Sequence, residues 1–175
     1  AENRVWDPEM IEPWDNRMAP LAVKISNARR DFIKNFTPVF NSTYEDISNG
    51  VESVSLGYNS RVNGDEKDFL ELLEKAREDD RRLRRSTTGI HRDDLVFKIH
   101  GHPMKKFGSQ GQQKTYLVSL RLAQLSFLEK ATGVKPILLL DDIFDKIDEK
   151  RVKSLMEKVT TGGYGQVFIT DTHLE

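Results

Sequence analysis

Cysteine is absent from this chain of 175 residues, which excludes disulfide bonds and thiolate metal sites. No apolar run approaches the roughly 20 residues that a membrane-spanning helix needs, and the amino end lacks the pattern of a signal peptide. Neither sign of charge dominates, because 27 lysines and arginines face 28 acids. The net charge of −1 argues against a uniformly basic nucleic-acid-binding surface but leaves room for a local basic patch. We therefore expect a soluble cytoplasmic protein with no membrane partner.

Helical periodicity dominates the first half of the chain. Apolar residues at helical spacing predict a long amphipathic helix over residues 14–36. Thr37 followed by Pro38 is typical of a helix start, so we expect a second helix to begin there. Alternating apolar residues predict a strand over 52–58, and helical spacing returns over 65–85. The first half should therefore be mainly helical, with one strand inserted.

A run of arginines follows the last of these helices. The segment 81–92 contains five arginines and no acid. One interpretation is a solvated helix end, where cations complement the helix dipole. The other is a surface that contacts phosphate groups. The residues in question are Arg81, Arg82, Arg84, Arg85 and Arg92.

The second half alternates strands with helices. Segments 95–100 and 104–107 look like two strands of a hairpin turning at 101–103. Residues 111–132 form a strongly apolar helix with little polar surface, so we expect it to be buried. Its start offers small side chains, a hydroxyl and backbone amides where the helix dipole is positive. Such a start is more often a simple cap, but it can also hold an anion.

An apolar strand over residues 137–140 ends in two aspartates, Asp141 and Asp142. The continuous apolar run predicts a buried parallel strand, and residues 166–170 predict the next one. Parallel strands present ligand-facing groups at their carboxyl ends. Two adjacent acids at that position indicate magnesium and water more than packing.

Several motifs in fixed order resemble those of a known class. Residues 109–114 are similar to the signature motif of ABC-type ATPases, 137–142 resemble their Walker B strand, and 145–148 fall where their D-loop follows. Residues 89–95, taken with the glutamine-rich signature, resemble a narrower group. That group is the RecF family of DNA repair and recombination proteins, which belongs with the SMC-like ATPases.

The resemblance implies an α/β fold, namely the carboxyl-terminal part of an ABC-type ATPase head with a largely helical arm region. The arm would span residues 1–85 and the head 86–175. No G-x-x-x-x-G-K-[ST] loop occurs, since none of the 11 glycines precedes a lysine. The chain thus looks like the carboxyl-terminal part of a longer protein, a slow ATPase when complete. Alone, it is expected to be inactive and not to bind ATP tightly.

The resemblance also implies roles for single residues. Asp141 would hold Mg²⁺ beside the phosphates of ATP. Asp142 would take the catalytic position, and because aspartate is one methylene shorter than the usual glutamate, we expect slow hydrolysis. His173 resembles a switch histidine, two residues later than usual. The residues that would contact ATP across an ATP-dependent homodimer, or line its site, are Ser109, Gln110, Gly111, Gln112, Asp145, Asp148 and His173.

The function implied by the resemblance is ATP-dependent DNA binding in recombinational repair of single-strand gaps and stalled forks, within the SOS response. Its DNA would be gapped or carry a single-strand to double-strand junction, and its partners would be RecO, RecR and RecA. The arginines of 81–92 would then be DNA contacts. Two alternatives stay open. One is another SMC-like or overcoming-lysogenization-type ATPase head, and the other is a non-catalytic interaction module that keeps the aspartate-ended strand for structure only.

Overall fold

The computed structural model describes residues 10–141 and 145–170. Within these residues one long amino-terminal helix is followed by a mixture of strands and helices. This arrangement is an α/β fold with a helical region, as predicted. In chain order the elements are α1 (Glu12–Ser48), β1 (Val54–Asn59), α2 (Glu66–Leu83), β2 (Asp94–Ile99), β3 (His102–Pro103), α3 (Met104–Phe107), α4 (Gln110–Thr132), β4 (Leu138–Asp141), α5 (Glu149–Thr161) and β5 (Val167–Thr170).

The first helix is continuous over 37 residues, so the predicted restart at Thr37 and Pro38 is wrong. A proline inside a helix removes one hydrogen bond and costs about 3 kcal/mol. Here the Thr37 hydroxyl donates to the Ile33 carbonyl at 2.6 Å, and the apolar face runs unbroken past the proline. Packing of that face outweighs the local penalty. Its buried side chains around the proline are Ile33, Phe36, Phe40, Tyr44 and Ile47.

The chain divides into two compact units that alternate along the sequence. The first comprises Ala1–Phe32 and Tyr58–Leu95, and the second comprises Ile33–Gly57 and Val96–Glu175. Helix α1 and strands β1 and β2 each contribute residues to both. The division into an arm and a head at residue 85 remains a prediction from the resemblance.

The first unit is built around α2, which starts where the sequence predicts. Asp65 accepts a hydrogen bond from the Asp68 amide, and the Asp68 side chain accepts one from the Asp65 amide, both at 3.0 Å. This capping box uses two of the amides that a helix start leaves unpaired. One face of α2 then packs into a small core with α1. The buried side chains of this core are Ala19, Ala22, Val62, Phe69 and Leu73.

The second unit contains the predicted pair of parallel strands. Strand β4 pairs with β5, with Leu138 beside Val167 and Asp141 beside Thr170. Helices α4 and α5 cover the face that carries Leu138 and Leu140, whereas Leu139 on the other face is 73% exposed. The sequence predicts a buried strand. Within the described residues this prediction is wrong for the face that carries Leu139. The reason is that α4 and α5 pack on the same face.

The connection between β2 and α4 also differs from the prediction. Strand β3 is only His102–Pro103, and Met104–Phe107 is a single helical turn rather than a strand. His100 and Gly101 both have positive φ, 48° and 79°, which is typical of a tight two-residue hairpin turn. Because this turn falls earlier than expected, the second strand ends before Met104.

Helix α4 matches its predicted range and ends at Gly133, which adopts the left-handed conformation with φ 71°. Its burial is one-sided. Thr115, Ser119 and Leu122 are fully buried, whereas Leu117 is 55% exposed. The expectation of a helix buried all round is therefore wrong, because only one face meets the core of this unit.

Candidate functional site

Ser109 begins α4 with a second capping box. The Ser109 hydroxyl accepts from the Gln112 amide at 3.2 Å, and the Gln112 side-chain oxygen accepts from the Ser109 amide at 2.8 Å. Two of the first amides of the helix are thereby used. The amides of Gln110 and Gly111 lie in the first turn, where no carbonyl of the helix can reach them. An anion at this helix start would meet those two donors and the positive end of the dipole.

Gly111 lies directly against the turn that follows β4. A Cβ at this position would come within 2.8 Å of the Lys146 carbonyl oxygen, closer than real side chains approach. Lys146 has a φ of 66°, so the turn itself is in the left-handed region. The signature-like helix start and the D-loop-like turn are thus packed together, and only glycine leaves room for the contact.

Asp141 ends β4 with an exposed carboxylate. Its Oδ1 accepts a hydrogen bond from the hydroxyl of Thr170 on the neighbouring strand. A single hard carboxylate at the end of a strand fits Mg²⁺, which is usually held by one or two carboxylates together with water and phosphate oxygens. Within residues 10–141 and 145–170, no group of three acidic or histidine side chains could hold a metal ion without such additional ligands.

Two predicted residues of the site, Asp142 and His173, lie outside the described residues. The other two acids of the turn are described. Asp145 pairs with Lys146 at 3.7 Å, and both are partly exposed. Asp148 caps α5 by accepting from the Arg151 amide at 3.1 Å, and it also pairs with the Arg151 guanidinium at 2.8 Å. Asp148 therefore has a structural role at the start of α5.

A buried charge network joins these segments, and sequence reasoning missed it. The Glu52 carboxylate accepts from the Arg151 guanidinium at 2.8 Å and from the Gln112 amide nitrogen at 2.6 Å. Tyr44 and Thr115 complete the set, since the Tyr44 hydroxyl donates to Glu52 and Arg151 donates to the Thr115 hydroxyl at 3.3 Å. One carboxylate thus ties the signature-like helix start to the helix that follows the D-loop-like turn.

The electrostatics of the network keep both charges. Burial alone would raise the pKa of Glu52, but hydrogen bonds from Arg151, Tyr44 and Gln112 outweigh it and hold that pKa below its ordinary value of 4.5. Burial alone would lower the pKa of Arg151, but the hydrogen bond and charge attraction to Glu52, together with Tyr44 and Asp148, outweigh it and raise that pKa above its ordinary value. Burial and the bond to Glu52 raise the pKa of Tyr44. The network is therefore an ion pair with a neutral phenol.

No sequence pattern could have located this network. Glu52 and Arg151 are 99 residues apart, and each has an ordinary local setting. Glu52 precedes a strand, and Arg151 lies in a helix rich in charged residues. Glu52 and Arg151 are linked to the predicted site because Gln112, in the signature-like segment, also donates a hydrogen bond to Glu52.

The arginine run separates into two groups in the first unit. Arg82 pairs with Asp79 at 2.7 Å on the exposed side of α2, and Arg92 donates to the Ser86 carbonyl at 2.8 Å. The other three line one cavity. These three are Arg81, Arg84 and Arg85.

The structure thus brings together the predicted residues of 109–112 and 145–148 in the second unit, with Asp141 at the end of β4. The arginines belong to the first unit. None of the helices in the described segments is both long and apolar enough to cross a membrane.

The signature-like helix start, the aspartate-ended parallel strand and the turn after it define the carboxyl-terminal part of an ABC-type ATPase head with a largely helical arm region. Sequence comparison gives the narrower family. The chain is 46% identical over all 175 residues to the DNA replication and repair protein RecF of Flavobacterium johnsoniae. It is 43% identical over 169 residues, 97% of the chain, to the RecF protein of Bacteroides thetaiotaomicron. The chain belongs to the RecF family.

Solved structures agree with this assignment. The first is a structure of the recombination mediator protein RecF with ATPrS, in the RecFOR pathway. It gives a TM-score of 0.79 at 25% sequence identity. It aligns with 97% of this chain and 47% of its own. One of RecF with ATP gives 0.81 at 24% identity over 99% of this chain and 48% of its own, which supports the fold. No protein-family model matches the sequence.

The chain spans about half the length of the curated relatives it matches, 48% and 45% of the two proteins above. Of the ATPase heads that the sequence left open, the RecF type is favoured over the overcoming-lysogenization-type and other SMC-like heads, because the relatives are RecF proteins.

Proposed function

We propose that this chain supplies half of a shared ATP site in an ATP-dependent DNA-binding protein of recombinational repair. ATP bound between two heads would act as a clamp, and hydrolysis would release it. The names of the relatives, which describe DNA replication and repair, and the neighbouring structures with ATP and ATPrS support this proposal. As in the relatives, the complete activity belongs to a protein about twice as long as this chain.

In this proposal, the start of α4 faces the γ-phosphate of ATP held by a second copy of the head. Ser109, Gln110 and Gly111 would contact the phosphate through backbone amides and the serine hydroxyl. The side chain of Gln112 is already bonded to the Ser109 amide and to Glu52. We therefore assign Gln112 to positioning the helix start and not to direct contact.

The acids at the end of β4 would serve the head's own nucleotide. Asp141 would hold Mg²⁺ through its water shell, and the metal would neutralise charge on the phosphates. Asp142 would orient or deprotonate the attacking water, and His173 would sense the γ-phosphate. Asp145 and Asp148 would place the turn beside the dimer interface.

The DNA would be a gap or a single-strand to double-strand junction. RecO and RecR would act with the bound dimer to help RecA load at gaps and stalled forks, within the SOS response. The arginines Arg81, Arg82, Arg84, Arg85 and Arg92 are the proposed DNA contacts. Such contacts make affinity fall steeply with salt.

The observation that carries the proposal is the contact between Gly111 and the Lys146 carbonyl. It joins the signature-like helix start to the turn that follows the aspartate-ended strand. Neither motif alone would be specific, since a serine-capped helix and an acid after a strand are common. Their close packing supports the proposal that one unit supplies both the helix start for a partner's phosphate and the acid for its own nucleotide.

The test uses a full-length protein that carries this sequence as its carboxyl-terminal half. Ser109→Arg should abolish ATP-dependent dimerisation in analytical ultracentrifugation, because the arginine would occupy the phosphate position. Gln124→Arg is the control, since Gln124 is exposed on the same helix away from its start. Dimerisation that survives Ser109→Arg unchanged would remove the helix start from the site.

The same assay separates an ATPase from a non-catalytic interaction module. Asp141→Asn should weaken ATP-dependent dimerisation if Asp141 holds the metal, whereas a merely structural acid would tolerate asparagine. Asp142→Asn should retain dimerisation and lower the single-turnover hydrolysis rate, by the 10²- to 10⁴-fold typical of a general base. An unchanged rate would remove Asp142 from the chemistry.

A further inference from the structure

The first unit contains a cavity of about 520 Å³ whose rim is rich in guanidinium groups. It lies beside the carboxyl end of α2 and is also bordered by the start of α1. Its volume is in the range of pockets that bind small molecules. Its charged lining consists of Arg77, Arg81, Arg84, Arg85, Asp15 and Asp80.

The end of α2 gathers these arginines on one side. Arg77 and Arg81 are one helical turn apart and therefore share a face. Arg84 then adopts the left-handed conformation, φ 51°, which glycine or asparagine usually occupies at this position. The turn is closed by hydrogen bonds from the Arg84 amide to the Arg81 carbonyl and from the Arg85 amide to the Asp80 carbonyl. This strained turn keeps two further arginines at the cavity.

The cavity also has acceptors and an apolar wall. Asp15 pairs with Arg77 at 3.2 Å, and its side chain is only 9% exposed. Asp80 accepts from the amide and the hydroxyl of Thr87 at 2.6 and 2.5 Å. Leu73 and Met18 supply apolar surface, and the Met18 side chain is accessible from solvent. The lining thus combines fixed carboxylates, guanidiniums and apolar atoms.

One donor in this lining has no acceptor. The Nε of Arg77 is buried and makes no hydrogen bond within the described part of the chain. A buried donor without a partner costs free energy, about 1 to 3 kcal/mol, unless a ligand or water supplies an acceptor. The burial of this atom places it behind the accessible lining, so a ligand would meet the exposed Arg84 and Arg85 instead.

We propose that this cavity binds one unpaired nucleotide of a single DNA strand, its phosphate against the arginines and its base against Met18 and Leu73. Guanidiniums bind phosphate and stack on bases, and carboxylates accept hydrogen bonds from base N–H groups, which include the N3–H of thymine. Duplex DNA fits poorly, because its bases are stacked inside and only its convex backbone could reach a concave site. An acidic peptide fits less well, since its carboxylate side chains would meet the arginines but bring neither a ring for Met18 and Leu73 nor an N–H donor for the aspartates.

The inference rests on the proposed function for its choice of DNA, which it narrows to the single-stranded side of a gap or junction. It divides the five candidate DNA contacts by role. Arg81, Arg84 and Arg85 would discriminate single strands, while Arg82 and Arg92 would at most add charge. ATP is not required for the site, so it can be tested without the clamp.

The experiment measures fluorescence anisotropy of a short oligothymidylate and of a duplex of equal length with the 175-residue chain, without ATP. The double variant Arg84→Ala/Arg85→Ala should weaken oligothymidylate binding about tenfold or more, as the loss of charge-assisted hydrogen bonds implies. Duplex binding should change much less. Lys75→Ala is the control, because Lys75 is an exposed cation of α2 that neither lines the cavity nor belongs to the proposed DNA contacts.

A second pair of variants tests the apolar wall. Met18→Asp should weaken oligothymidylate binding, whereas Leu21→Asp should not, since Leu21 is 60% exposed on the same helix and lies outside the cavity. Circular dichroism of all variants checks that the helices remain.

Three results would overturn the inference. The first is an absence of oligothymidylate binding by the unaltered chain. The second is an equal loss of single-strand and duplex binding in the arginine variant with no effect of Met18→Asp, which would mean charge attraction alone. The third is displacement of oligothymidylate by a short aspartate-rich peptide at lower concentration than by unlabelled oligothymidylate, which would assign the cavity to a protein tail. Survival of ATP-dependent dimerisation in Ser109→Arg would contradict the shared ATP site and leave the cavity standing.

Discussion

Arginine serves two different purposes in the two units of this protein. In the second unit, Arg151 is 17% exposed and bonded to Glu52, Asp148 and Thr115. In the first unit, Arg84 and Arg85 are exposed at the rim of a cavity, and the buried Nε of Arg77 lacks an acceptor within the described residues. The same type of side chain is enclosed by its own chain in one unit and lines a cavity in the other.

The difference shows that the hydrogen-bonding partners of an arginine, and not the residue type, decide whether its charge stabilises the fold or is available to a ligand. A buried guanidinium with all of its neighbours in place holds segments together, and removing any neighbour leaves a costly charge behind. The exposed guanidiniums of Arg84 and Arg85 contribute little to folding, because water already solvates them. We therefore expect loss of stability from changes near Arg151 and loss of binding from changes near Arg84.

The largest effect on stability is expected from Glu52→Ala. Removing the carboxylate leaves the Arg151 guanidinium buried without its main partner, which should lower the free energy of unfolding by about 3 to 5 kcal/mol. Urea unfolding monitored by circular dichroism measures this. The control is Glu157→Ala, whose pair with Lys153 spans 4.0 Å at the surface and should cost at most about 1 kcal/mol.

A double variant sharpens that measurement. Glu52→Ala/Arg151→Ala removes both charges, so its loss should be clearly smaller than the sum of the two single losses. Additive losses would show that the two residues act independently. The contrast between a buried ion pair in the second unit and exposed arginines in the first would then fail.

A smaller loss is expected from Gly111→Ala. The added methyl group would meet the Lys146 carbonyl at 2.8 Å, and relieving this contact should cost about 1 to 3 kcal/mol, less any gain in helix propensity. Gly57→Ala is the matched control, because its Cβ would make ordinary contact with Val96 at 3.7 Å. If both variants unfold at the same urea concentration as the unaltered chain, the packing of the helix start against the turn has been misjudged.

The smallest effect concerns pH. Because the pKa of Glu52 is lowered in the folded state, its ionisation stabilises the fold above the ordinary value of 4.5, and this contribution is lost as pH falls through the folded pKa. The stability difference between the unaltered chain and Glu52→Gln should therefore be constant near neutral pH and shrink in acid. If the stability difference grew on acidification, the pKa of Glu52 would be raised in the folded state and not lowered. Urea midpoints over a pH series provide the measurement.

Sequence reasoning succeeded where local chemistry decides. Helix α2 begins within the predicted range, Gly133 ends α4, and β4 ends at Asp141 beside a parallel partner. It failed where packing overrules a local preference. Pro38 does not interrupt α1, because the buried face of that helix continues past it.

The sequence by itself determined the order of the motifs, the end of α4 at Gly133 and the family, since each depends on residues that are neighbours in the chain. Only the tertiary structure decided which charges meet. It paired Glu52 with Arg151 across 99 residues, and it placed Arg77 against Asp15 across 62. Contacts at such separations leave no periodic or spacing signal, because they arise when separate elements pack and bury particular side chains together.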